Sequence, residues 1–132
     1  MDSDERLRAL GMLVINCAVA FQLSWIPLML SFGGAEWMGP ALAVALHRLG
    51  IAYLIAGPVA HGVALHRAGA EHEAFVQWAA RGFAPMAAVA GLTLLLERLL
   101  PPGGPMIAGM MVGGLLVAGY GLALRREGAP TS

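Results

Sequence analysis

The chain contains no lysine, a single cysteine and very little charge. All eight basic residues are arginine, eight acidic residues balance them, and the formal net charge is zero. A balanced charge excludes the basic footprint of a nucleic-acid binder. A lone cysteine, Cys17, excludes an internal disulfide. The absence of lysine reads as a bias toward GC-rich codons and carries no mechanism. Charged residues make up only 12% of the 132 positions, about half the roughly 25% of a soluble domain. No Asp or Glu falls deep within an apolar run, which argues against proton-coupled antiport, a chemistry that needs a titratable group inside the membrane. No Ser-His-Asp, Cys-His or paired-carboxylate set stands at matching depth, so hydrolytic catalysis lacks candidates and an enzyme is not expected.

What fills the space is apolar. Hydrophobic residues are 58% of the chain, against roughly 45–50% in soluble proteins. They fall into four runs, 10–32, 40–66, 75–100 and 106–124, each about long enough to cross a hydrocarbon core. The breaks, "SFGGAEWMGP", "HRAGAEHE" and "PPGGP", carry the Gly and Pro that end helices and allow turns. The predicted fold is all-α, one domain of four transmembrane helices in an up-down bundle. Arg6, Arg8, Arg67, Arg81, Arg125 and Arg126 would share one side, with Arg48 and Arg98 on the other. By the positive-inside rule both termini are cytoplasmic, in a bacterial cytoplasmic membrane. Trp37, Trp78 and Tyr120 suit interfacial anchors. The opening "MDSDERLR" is as acidic as it is basic, so the first run is expected to stay as a span and not to be cleaved as a signal.

One heptapeptide occurs almost twice, "VALHRLG" at 44–50 and "VALHRAG" at 63–69. Nineteen helical residues rise about 28 Å and rotate the second copy by about 100°. A duplicated binding element would face one way. The spacing instead places Arg48 and Arg67 at opposite interfaces of one helix. Glu36 is then a rim partner for Arg48, and Glu97 sits beside Arg98.

Polar groups within the runs are the candidates for function, since each is costly in lipid. In the first helix these are Asn16, Gln22 and Ser24; Asn16 and Gln22 lie on different faces, about 240° apart, and the group is expected to hydrogen-bond to neighbouring helices. His47 and His61 are fourteen residues apart, about 40° in direction and about 21 Å along the axis. This spacing resembles that of the membrane di-haem cytochromes b. The resemblance covers one helix and two residues. It implies haem b held through His47 and His61 in a redox subunit near a quinone, with opposing ligands from another helix or copy. At the inner rim His61, His66, Glu71, His72 and Glu73 cluster without a closed ligand pattern, as a solvated turn does. Pro27, Pro58 and Pro85 interrupt three helices, and Gly57-Pro58 is the expected kink.

The fourth run gives the clearest packing signal. Gly109, Gly113 and Gly121 share one ridge and Gly114 the next, with "GMMVG" a GxxxG match that permits close backbone approach. The expected partners are the lipid bilayer and either other membrane subunits or further copies of the chain. The leading expectation is a non-catalytic accessory subunit of a membrane assembly. The alternatives are the haem subunit and a small homo-oligomeric transporter with its pathway near Pro58, Asn16 and Gln22.

Overall fold

A computed structural model describes residues 3–32, 40–100 and 104–128. Among them are four long helical stretches: α1 (Ser3–Phe32), α2 (Pro40–Arg67), α3 (His72–Leu99) and α4 (Gly104–Glu127). The stretch α3 is composite, with a π-helical turn at Ala79–Phe83 between α-helical His72–Trp78 and Ala84–Leu99. The protein is all-helical. Three stretches, Asp4–Leu30, Ala41–Arg67 and His72–Leu99, are long and apolar enough to cross a membrane by length and composition. Glu36 and Trp37, expected at the outer rim, lie outside the described residues.

The helices outrun the apolar runs at several ends. Their hydrogen-bond ladder does not stop where polar side chains begin, so α1 continues back to Ser3 and α4 on to Glu127. Between α2 and α3 the sequence sets the turn. Gly69 takes φ 70°, its N–H bonds to His66 O at 3.1 Å and that of Ala70 to Leu65 O at 3.0 Å. This pair of bonds is a Schellman stop, which asks for a residue free to be left-handed.

Consecutive helices run antiparallel. Gly50 and Gly57 of α2 face Ser24 and Cys17 of α1, and Gly62 faces Trp78 of α3. Gly11 of α1 faces the backbone of Gly121 and Arg125 of α4. Helix α1 makes its largest contact with α4 and the next with α2, whereas α3 leans on α2 and barely touches α4. The core therefore centres on one face of α1, with Val14, Cys17, Phe21 and Trp25 packed against Leu54, Met86 and Val117.

Proline in α3 has a traceable consequence. Pro85 has no N–H, so the carbonyl four residues earlier, Arg81 O, loses its helical donor. The Tyr120 hydroxyl of α4 donates to that carbonyl at 2.8 Å. The π-helical turn Ala79–Phe83 surrounds the same point. On α2 the helix runs through Pro58, and the Trp78 indole Nε1 donates to Pro58 O at 2.8 Å. Trp78, expected as an interfacial anchor, thus packs inward onto Gly62.

The contact of α1 with α4 is backbone against backbone. A Cβ on Gly11 would stand 2.7 Å from Arg125 N and 2.8 Å from Gly121 O, so the two helices would have to separate. Gly11→Ala and Gly121→Ala are expected to destabilise the protein by about 1–3 kcal/mol, as overpacking does. Gly119→Ala, with nothing within 4 Å of a Cβ, is expected to change stability by about 0.5 kcal/mol or less. Thermal unfolding of the three variants in mild detergent checks the contrast.

Candidate functional site

The best-connected polar group in the bundle joins three helices at the end opposite the chain termini. Ser24 comes from α1, His47 and Arg48 from α2, and Glu97 from the last turn of α3. His47 is buried to 2% exposure. Gly50, one turn further along α2, makes the room, since a Cβ there would collide with the Ser24 side chain. The His47 ring lies on the Trp25 indole, centroids 4.0 Å apart and tilted 48°, and Trp25 meets Phe21 edge-on at 5.8 Å.

Both imidazole nitrogens are engaged. His47 Nε2 pairs with Glu97 Oε1. Nδ1 stands 3.5 Å from Ser24 Oγ, at the outer limit of a hydrogen bond. The Ser24 hydroxyl itself donates to Phe21 O at 2.6 Å, so its hydrogen is directed at its own helix. On the other carboxylate oxygen, Arg48 pairs with Glu97 Oε2 at 2.8 Å. Glu97 is thus held on both oxygens, and its side chain is only 12% exposed. The arrangement can hold a proton between imidazole and carboxylate and can lock α1, α2 and α3 together. It presents no free nucleophile, because the serine hydroxyl is buried and committed to a backbone carbonyl.

Glu97 is expected from the sequence at the rim beside Arg98, with no Ser, His and carboxylate set at one depth. The structure brings Ser24, His47 and Glu97 together. The available signal was that α3 ends on the side of the bundle where α2 begins; His47 lies seven residues into α2 and Glu97 two residues from the end of α3, so the level at which they meet was set by packing and not by spacing.

The other singled-out residues lie elsewhere. His61 borders a shallow hollow with Leu13, Tyr53, Gly57 and Ala60, apart from His47. His66 meets Phe75 edge-on at 6.5 Å, and Glu71 pairs with Arg6 at 3.5 Å. Among the described residues no group of three His, Cys, Asp or Glu side chains is placed to hold a metal ion. Gln22 donates through Nε2 to Met111 O of α4 at 2.9 Å, while its Oε1 is buried with no partner among the described residues. Its amide occupies the space that Gly114 leaves open. Asn16 is exposed on the far side of α1.

The glycines of α4 divide by face. Gly121 lies against Ile15 and Gly11 of α1. Gly109 and Gly113 have nothing within 4 Å of a Cβ position. They border a cleft of about 400 Å³ between α3 and α4, walled by Met86, Val89, Leu96 and Leu116 among others. Arg81 and Glu127 close one side of that boundary with an ion pair at 2.6 Å.

Removing one partner of a buried pair leaves the other uncompensated. His47→Ala is expected to destabilise the protein by about 3 kcal/mol, the low end for such a loss because Arg48 remains on Glu97. Glu97→Gln keeps a hydrogen-bond partner for the imidazole and is expected to do less damage than Glu97→Ala. Thermal unfolding in mild detergent ranks the three variants.

No family model matches the chain, and no curated protein or solved structure matches it.

Proposed function

We propose that this chain is an integral membrane protein whose four helices cross the bilayer in up-down order, and that it serves as a non-catalytic packing subunit of a membrane assembly. Support for the membrane comes from surface chemistry. Leu23, Leu49 and Leu116 are 58%, 65% and 70% exposed, and such apolar surface is a liability in water but at home in lipid. The ion pairs divide between the two ends of the bundle, Arg6–Glu71 and Arg81–Glu127 at one, Arg48–Glu97 at the other. The greater share of arginine at the first end supports, by the positive-inside rule, a cytoplasmic position for both termini.

The observation that carries the subunit role is the α3–α4 cleft. Gly109 and Gly113 bare the backbone of α4 to it, and among the described residues no side chain fills that opening. Small residues in membrane helices serve close helix–helix approach. On α1 and α2 the corresponding glycines are filled from within the chain; on this face of α4 they are not. A haem-bearing role gains nothing from the geometry, since both nitrogens of His47 are engaged within the protein.

Native electrophoresis of mild-detergent membrane extracts tests this reading. The wild-type chain is expected in a species of more than twice its own mass. Gly113→Leu, whose side chain enters the open cleft, is expected to lose that species while keeping wild-type thermal stability. The purified protein is expected to lack a Soret band. A chain that migrates alone as a monomer in native extracts overturns the subunit role, and a Soret band lost in His61→Ala restores the haem reading.

A further inference from the structure

The outer face of α1 contains a polar group that the chain itself leaves unanswered. Asn16 is exposed and makes no hydrogen bond among the described residues. It stands six residues beyond Leu10, about 9 Å into the apolar run. An amide facing hydrocarbon without a partner is costly, because lipid offers neither donor nor acceptor.

Its surroundings are regular. Met12, Asn16, Val19, Leu23 and Ile26 are all exposed. Their spacing is four, three, four, three, the heptad seam of two helices that wind around each other. The seam lies opposite the face of α1 that carries Val14, Phe21 and Trp25 into the core. It shares no residue with the α3–α4 cleft, to which α1 contributes Phe21. A single asparagine within an apolar heptad seam fixes register and oligomeric state in coiled coils.

We infer that two copies of this chain pair through α1, with the Asn16 amides hydrogen-bonded to each other across a two-fold axis along the membrane normal. This rests on the membrane reading above and names a partner for a second face. The choice of occupant follows from symmetry. An amide is both donor and acceptor, so two of them satisfy each other. Copies inserted with one topology present α1 in parallel, and Asn16 of each necessarily stands at the same depth. A foreign helix would have to bring a polar group to that depth independently.

Cysteine cross-linking in isolated membranes tests the pairing on the full chain. In a Cys17→Ala background, Val19→Cys and Leu23→Cys place a thiol on the seam, and Val63→Cys on the exposed face of α2 is the control. Oxidation is expected to give a disulfide-linked dimer of twice the chain mass from the seam variants and little from the control. Adding Asn16→Leu is expected to weaken pairing roughly three- to thirty-fold, as loss of an interhelical polar contact does, while Asn16→Gln keeps most of it. The Gly113→Leu variant is expected to dimerise normally. If the chain resists alkaline extraction but cross-links equally at all three positions, or to a product of another mass, or not at all, the pairing is overturned and the membrane reading stands. If alkali releases the chain from the membrane, both fall together.

Discussion

The bundle depends on how closely α1 is approached by its two neighbours. Glycine against backbone at Gly11 and Gly121, and glycine against side chain at Gly50 and Gly57, bring α4 and α2 up to α1 on either flank. In the bilayer proposed for this chain, lipid would provide no hydrophobic drive for one apolar helix to seek another, so close packing would have to supply the attraction. Two helices drawn tightly to one leave the remaining helix to settle where its own contacts allow. Helix α3 is held on the α2 side by Trp78 at one end and Glu97 at the other. The gap toward α4 is the geometric remainder of that choice.

The polar cluster at the far end follows from the same arrangement. Antiparallel α2 and α3 bring the start of one helix beside the end of the other, so His47, Arg48 and Glu97 meet at one level. Trp25 supplies the floor and Ser24 the side wall. The group ties helices that glycine packing alone would leave free to slide. Its burial makes it a poor place for turnover and a good place for a lock.

Segmentation of the chain was legible in its residues. Helix number, the punctuation between helices and the separation of arginines to two ends all follow from composition and spacing. The rotational phase of each helix was much less so. A span that is apolar all round carries little information about which face turns inward. Gly109, Gly113 and Gly121 share a ridge, yet only Gly121 meets α1, while Gly114 on the neighbouring ridge takes the Gln22 amide. Glu97 reads as a rim residue until His47 is placed opposite it. Asn16 and Gln22 differ by six positions, and the angle between them was readable. That one turns inward to Met111 O and the other outward was settled only by packing.

The bond from Tyr120 to Arg81 O bears on how such a chain can be built. Pro85 leaves a carbonyl of the third helix short of its own donor, and the replacement comes from thirty-nine positions further along. A ribosome delivers the third helix well before that hydroxyl. If the chain enters a bilayer as proposed, that carbonyl would depend for the interval on water or lipid headgroups. Arrival of the fourth helix removes the need. On the membrane reading proposed above, the third helix would thus gain its full set of backbone partners only once the fourth had arrived.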